Sequence, residues 1–232
     1  MDINNKLLVN IGNTHTTISN LDLQVIVHCR TDELLKKIKL IDATTFYCAS
    51  VVPSVQEQLL KTERDYRFLQ YGDLDNIDFT QVEPSGIGAD RLANLLGVSL
   101  SHSGKDCLII DCGTCVTGEL LSGSQFLGGF IHPGRHMQRR ALNVFTGGLP
   151  EVPLADTLPE LEGVSTAGAI LTGVDCFSFL GLKAYVAELQ LKYPELKIVL
   201  TGGDAAFYEA AFDEYKLVEN LTLQGLKTFA QS

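Results

Sequence analysis

The sequence predicts an α/β fold made of two related lobes, and three observations carry that prediction. Residues 7–14 read Leu-Leu-Val-Asn-Ile-Gly-Asn-Thr, and 101 positions later residues 108–115 read Leu-Ile-Ile-Asp-Cys-Gly-Thr-Cys. The offset pairs Leu7 with Leu108, Gly12 with Gly113 and Thr16 with Thr117, and it sets Asn10 on Asp111. Each segment is an apolar strand that meets a Gly turn and continues into a second strand rich in Thr or Val, as a duplicated unit would. The order of elements that follows is also repeated, and 232 residues suffice for two domains of about 100 residues, each with its own core. Gly turns flanked by small hydroxyl residues leave backbone N–H groups free to cradle phosphate. Two such turns point to a nucleotide held in a cleft between lobes 1–104 and 105–232.

The elements follow in order. Three short apolar segments at 6–12, 15–20 and 24–29 read as consecutive hairpin strands, separated by Asn13-Thr14 and Leu21-Asp22. A helix starts at Asp32 with Leu34, Leu35 and Ile38 on one face. Thr45–Ser50 is a strand, Pro53 opens a helix, and Tyr66–Leu69 is a further strand before a polar stretch over 71–86. Leu92, Leu95, Leu96 and Leu100 recur at helical spacing after Gly88. The polar run Ser101–Asp106 is the candidate boundary. Strands at 107–112, 115–122 and 125–131 then repeat the opening, followed by a helix from about 134. A loop over 147–164 and a helix over 165–191 come next. A strand at Ile198–Leu200, a helix at Asp204–Ala211, a short strand at Lys216–Val218 and a last helix over 220–230 complete the chain.

Composition narrows the function. Apolar residues make up 45% and charged residues 20%, an ordinary globular balance. No unbroken apolar run reaches the roughly 18 residues of a membrane span, and the start lacks the basic and apolar regions of a signal peptide. The cytoplasm is the expected location. A formal charge of −10 argues against nucleic acid as a partner. The cationic cluster Arg135, His136, Arg139 and Arg140 places Arg135 and Arg139 on one helical face. It reads as a solvated face, or as a contact for an anion or a subunit. Cys112 and Cys115 form a C-x-x-C, but within strand–turn–strand rather than at a helix start, and no second pair completes a zinc set. Cys29, Cys48, Cys107, Cys112, Cys115 and Cys176 are therefore expected to be reduced and structural.

Several segments together resemble type III pantothenate kinases. They are Ile11-Gly12-Asn13-Thr14, Gly88-Ala89-Asp90-Arg91, Asp111-Cys112-Gly113-Thr114, Gly128–Gly134, Leu149-Pro150, Ser165-Thr166 and Thr201–Ala205. They occur in that family's order and spacing over about residues 7–206. The resemblance implies the actin-like ATPase (ribonuclease H-like) fold. It implies transfer of the ATP γ-phosphoryl group to pantothenate, the first step of coenzyme A biosynthesis, with Mg²⁺, a monovalent cation (K⁺ or NH₄⁺) and a homodimer.

The same resemblance distributes roles. Asp90 is the expected general base, in the first turn of its helix where the dipole favours a carboxylate; an N-cap is the bland alternative. Phosphoryl transfer is largely dissociative, so orienting the hydroxyl matters more than basicity. Gly88, Ala89, Asp90, Arg91 and Thr166 are expected at pantothenate, Arg91 through the bidentate match of guanidinium to carboxylate. Asn10, Ile11, Gly12, Asn13, Thr14, His15, Thr16 and Thr17 are expected around the phosphates, Thr114 in contact with ATP, and Gly202 and Gly203 on its adenosine side. Asp111 is the implied monovalent-cation ligand.

Two departures stand out. The family carries Asp where this chain has Asn10, which keeps one oxygen acceptor, loses the charge and gains a donor. The family's substrate-contacting Tyr, six or seven residues before Gly88, is replaced by Gln81 and Val82, and the nearest upstream tyrosine is Tyr71. His15 replaces a position that is usually Asn or Arg, a lesser change. A noncatalytic homologue that binds nucleotide or pantothenate as a sensor is the alternative these changes leave open.

Overall fold

Leu7, Leu8, Val9 and Ile11 are all buried, and a short run apolar on both faces is what a central strand needs. That strand, β1 (Lys6–Ile11), pairs antiparallel with β2 (His15–Ser19) and parallel with β4 (Thr45–Ser50). With β3 (Val25–Arg30) and β5 (Asp65–Phe68) it forms a five-stranded sheet of order β3-β2-β1-β4-β5. The second sheet is built around β6 (Asp106–Cys112), whose Cys107, Leu108, Ile109, Ile110 and Cys112 are fully buried. It adds β7 (Cys115–Ser122), β8 (Gln125–Pro133), β9 (Lys197–Thr201) and β10 (Lys216–Leu217), in the order β10-β9-β6-β7-β8. Read from the hairpin edge, both sheets have one topology. In each, the first strand is central, antiparallel to the second and parallel to the fourth. The structure is a computed structural model and describes residues 5–99, 101 and 104–232. Leu100 and part of the expected 101–106 boundary lie outside the described residues.

The duplication carries one correction. Asn10 faces Thr17 across the first hairpin, and Asp111 faces Thr117 across the second. Thr117 is thus the counterpart of Thr17, not of Thr16, because the second turn is one residue shorter. Gly12 N–H donates to His15 O at 3.0 Å, and Gly113 N–H to Cys115 O at 2.9 Å.

The chain divides into two compact units. The first comprises residues 1–104, 123–127 and 220–232, and the second residues 105–122 and 128–219. This grouping differs from two consecutive blocks, and the last helix explains most of the difference. On one face of the first sheet, α1 (Leu34–Ile38) and α2 (Pro53–Leu60) contribute Leu34, Ile38 and Leu59 to a core with Leu7, Val9, Ile11, Phe46 and Cys48. Against β1 and β4 packs α8 (Leu221–Gln231), which lies along α3 (Ala89–Ser99). A Cβ on Gly225 of α8 would lie 1.8 Å from the Ala93 carbonyl oxygen, so only glycine lets the two helices approach this closely. Thr222 Oγ1 donates to Asn94 Oδ1 at 2.9 Å inside that contact. Residues 123–127 join the first unit through Phe126, whose N–H donates to Asp78 O at 2.9 Å and whose ring meets Phe79 edge-on.

In the second unit, α4 (Arg135–Phe145), α5 (Thr166–Leu171), α6 (Phe177–Lys192) and α7 (Ala205–Tyr208) accompany the sheet. The helix expected over 165–191 is interrupted: Thr172–Cys176 forms a π-helical turn between α5 and α6, a distortion that often marks functional positions. The combined run Thr166–Lys192 is long and apolar enough by length and composition to cross a membrane, a test that the core helix of a globular protein also passes. It carries Asp175, fully buried and ion-paired, among the apolar side chains that the helix packs inward.

Candidate active site

In the first unit, the β1–β2 turn gathers most of the expected phosphate-side residues. Asn10 and Ile11 end β1, Gly12 makes the turn, and Asn13, Thr14 and His15 are exposed on it. The turn is braced from β3's end. Thr31 N–H donates to Thr14 O at 3.0 Å, and Thr31 Oγ1 donates to Gly12 O at 2.6 Å. Thr16 is fully buried and its hydroxyl meets that of Thr31 at 3.1 Å, so it supports the turn from beneath instead of lining it. Thr17 is engaged with His28 Nδ1 at 3.0 Å, and the His28 ring stacks on that of His15.

The same unit holds the Gly88–Arg91 segment at the start of α3. Asp90 accepts the Arg91 backbone N–H on Oδ1 at 2.8 Å. A Cβ on Gly88 would lie 2.6 Å from that same Oδ1 and 3.4 Å from Val51 Cγ1. Gly88 therefore makes room for the Asp90 carboxylate. Burial pushes the Asp90 carboxyl above its ordinary value of 3.8, only partly opposed by the Arg91 N–H and the Arg91 charge. The sequence argument from the helix dipole pointed the other way; desolvation outweighs it here. Beside this segment opens a cavity of about 430 Å³ lined by Ser50, Val51, Gln70, Tyr71, Gly88 and Ala89 among others. Tyr71, too far along the chain to align with the missing tyrosine, lies on its wall.

In the second unit, the β6–β7 turn and the loop after β9 come together. Gly202 has φ +95°, and a Cβ there would lie 2.5 Å from both Asp111 Oδ1 and Cys112 O. A bare backbone at 202 is what lets the Asp111 carboxylate and a main-chain carbonyl crowd one spot, an oxygen donor set that suits a hard cation. Thr114 is exposed on the turn, and Gly202 and Gly203 are exposed on the loop. Thr166 is the first residue of α5 and exposed. The helix cap is Ser165, whose Oγ accepts from Gly168 N–H at 3.0 Å, so Thr166 is not spent on capping. Burial raises the Cys112 thiol, with the Asp111 charge adding to the effect. A thiolate is disfavoured there, as befits a structural cysteine.

The type III pantothenate kinase family model matches residues 6–188. The chain belongs to that family. A type III pantothenate kinase of Cytophaga hutchinsonii is 30% identical over 226 residues, covering 95% of this chain and 96% of the relative. One from Phocaeicola vulgatus is 37% identical over 145 residues, 62% of this chain. That match spans 60% of the relative's length, under two thirds of it. Among solved structures, a Campylobacter jejuni protein provisionally assigned to the Baf family of transcriptional activators superposes with a TM-score of 0.68 at 22% identity, covering 97% of both chains. A Sinorhizobium meliloti protein provisionally named a 2-dehydro-3-deoxygalactonokinase superposes with a TM-score of 0.60 at 15% identity, covering 97% of this chain and 96% of that one. These two likenesses concern the fold alone.

Beside these residues, the structure locates the cationic cluster of α4. Arg135 and Arg139 are 1% exposed, which overturns the solvated-face reading. Arg135 grips Asp204, and Arg139 pairs with Asp175. The signal was available only in part: Asp204 stands in the Gly-Gly-Asp segment, but Asp175 sits mid-helix with nothing local to mark it.

Proposed function

We propose that this protein phosphorylates pantothenate at the expense of ATP, forming 4′-phosphopantothenate for coenzyme A synthesis. The observation that carries the reading is the Asp90 carboxylate, seated against Gly88 at the start of α3 and beside a cavity large enough for a small acid. Family membership supplies the acceptor.

In this reading Asp90 accepts the proton of the pantothenate hydroxyl as its oxygen bonds to the γ-phosphorus. The bond from that phosphorus to the β–γ bridging oxygen breaks, and ADP leaves. The raised Asp90 pKa brings the base nearer to working pH, where proton acceptance is more favourable. Arg91 holds the acceptor carboxylate, with Gly88, Ala89 and Thr166 as further pantothenate contacts. Asn10 to Thr17 on one turn, and Thr114, Gly202 and Gly203 on the other, bind ATP. Mg²⁺ supplies charge neutralisation on the transferring phosphates. Asp111 is the protein's carboxylate for a monovalent cation, K⁺ or NH₄⁺, on the strength of the Gly202 cradle. ATP and pantothenate are cytoplasmic metabolites, and the reading puts the protein there.

We further read the protein as a homodimer. An apolar groove of about 330 Å³ in the second unit, lined by Phe130, Ile131, Phe177, Leu182 and Tyr185, is the surface a second copy would cover. Phe177 is 76% exposed and Ile131 65% exposed there, apolar side chains that a second copy would take out of water.

The deciding experiment is ATP-dependent phosphorylation of pantothenate by the purified protein with Mg²⁺ and K⁺, alongside Asn10→Asp. Turnover by the natural protein, increased in the variant by a restored carboxylate, is expected. Phosphorylation of other hydroxyl acceptors but not pantothenate by both proteins would overturn the assignment.

A further inference from the structure

Gly134, the N-cap of α4, and Arg135, its first residue, touch the two expected nucleotide-side turns of the second unit. Gly134 N–H donates to Thr114 O at 3.0 Å, and a Cβ on Gly134 would lie 2.5 Å from Gly113 O. The next residue, Arg135, reaches the other turn. Its Nε donates to Asp204 Oδ2 at 2.8 Å and its second terminal nitrogen to Asp204 Oδ1 at 2.5 Å, a two-pronged grip. Its remaining nitrogen donates to Ala155 O at 2.9 Å and lies 3.4 Å from Asp175 Oδ2. The guanidinium carbon lies over Phe207, 3.4 Å from the ring centre. Asp204 N–H in turn donates to Cys112 O at 2.9 Å. Asp175, presented by the π-helical turn, is paired with Arg139, which also donates to Pro153 O.

Two arginines and two aspartates thus form a neutral cluster, buried except at its part-exposed Asp204 edge. Such clusters often contribute little net stability compared with apolar replacements. Their geometry is specific, and a planar fork fixes a carboxylate more rigidly than an ammonium can. We infer that Arg135 is a positioning residue for ATP, fixing the Gly202–Asp204 loop against the Gly113–Thr114 turn so that both present their backbone to the nucleotide. The inference rests on the ATP-dependent reading above. It adds a residue that reaches the nucleotide only through Asp204 and the two turns. Phe207 and the π-helical turn are the support that keeps the fork in its plane.

The test is calorimetric titration of ATP into the natural protein and into Arg135→Met, Arg135→Lys, Asp204→Asn and Arg139→Met, with thermal unfolding of each. Arg135→Met and Asp204→Asn are expected to raise the ATP Kd at least tenfold. Arg135→Lys restores charge without the fork and is expected to recover only part of the loss. Pantothenate KM is expected to stay within twofold. Arg139→Met strips the cluster without touching Asp204, so it is expected to lower Tm while leaving ATP affinity near the natural value. Natural ATP affinity in folded Arg135→Met overturns the inference. If that variant does not fold, natural affinity in Arg135→Lys and Asp204→Asn overturns it equally. Parallel losses of Tm and ATP affinity in Arg135→Met and Arg139→Met also overturn it, because they mark a structural role alone. A natural protein that binds ATP tightly but leaves pantothenate unmodified sinks the pantothenate reading, while the Kd comparison still judges Arg135.

Discussion

Gly88→Ala tests the seat of the proposed base with the smallest possible change. The added Cβ would lie 2.6 Å from Asp90 Oδ1, whereas ordinary contact begins at 3.4 Å, so the carboxylate must retreat by about 0.8 Å. The backbone at Gly88 is not among the positive-φ positions, so alanine is conformationally tolerated. Reduced freedom of the unfolded chain stabilises by roughly 0.4–1 kcal/mol, which offsets an off-rotamer cost at Asp90 of about 0.5–1.5 kcal/mol. Stability should therefore change little. Catalysis should change much, because a misplacement near 1 Å costs on the order of 100-fold, or about 2.7 kcal/mol of barrier. The assay is ADP release coupled to pantothenate phosphorylation, with ATP affinity and Tm measured in parallel. A fall in kcat of about two orders of magnitude, with ATP affinity and Tm held, is expected. Gly86→Ala, two residues upstream with nothing within 4 Å of its added Cβ, is the neutral control. Natural kcat in Gly88→Ala would refute the link between the glycine and the position of the base.

The raised pKa of Asp90 makes two pH predictions of definite sign. In the proposed function the ionised form is the working base, so the acid limb of kcat/KM should lie above the ordinary carboxylate value of 3.8, and an inflection at or below it would contradict the burial argument. A folded-state pKa above the unfolded one means that the folded state binds the proton more tightly, so stability falls as pH rises from the unfolded pKa through the folded one. Asp90→Asn should then have a higher Tm than the natural protein at neutral pH, the gap closing on acidification; a gap that widens in acid would show the sign is wrong. Light scattering checks the dimer: twice the 25.3 kDa chain mass is expected at micromolar concentration, and the single-chain mass would remove the proposed role of the Phe177 groove.

Strands were legible in the sequence because their signal is local. Thr45–Ser50 coincides with β4, and the other expected strands lie within a residue or two of those observed. The leucine spacing placed α3 for the same reason. What escaped depends on partners far along the chain. The apolar stripe of α8 announces burial but not which sheet it covers; the answer lies in Gly225 meeting Ala93. A single extra residue in Thr172–Cys176 leaves the helical periodicity almost unchanged, so the π turn is invisible to pattern. Arg135 and Arg139 at i, i+4 look the same on a solvated face as in a buried one. Their acids lie 69 and 36 residues away, and only the fold brings them together. Asp90 was legible as a candidate but not in its electrostatics, because desolvation is set by what packs around it.

The duplicated topology sets the two matching turns at equivalent places in their sheets, where they differ in chemistry. Ile11 pairs with Ser50 across β1 and β4, and Asn10 with Ala49. In the second sheet Asp111 pairs with Thr201, which places Gly202 at the position of Ser50. At that one equivalent position the units diverge. Gly202, bare and left-handed, lets Asp111 and the Cys112 carbonyl close in on the backbone and concentrates oxygen charge. Ser50 instead ties its hydroxyl to the Val52 backbone, accepting from its N–H at 3.3 Å, and stands on the wall of the 430 Å³ cavity. The carboxylate that could concentrate charge on that side is also absent, since Asn10 is neutral. One copy of the turn is therefore shaped to gather charge and the other borders open space beside Asp90. In the proposed reading that asymmetry, written in Asn10 and Ser50 against Asp111 and Gly202, suits the cation to the second unit's turn and the acceptor to the cavity beside Asp90.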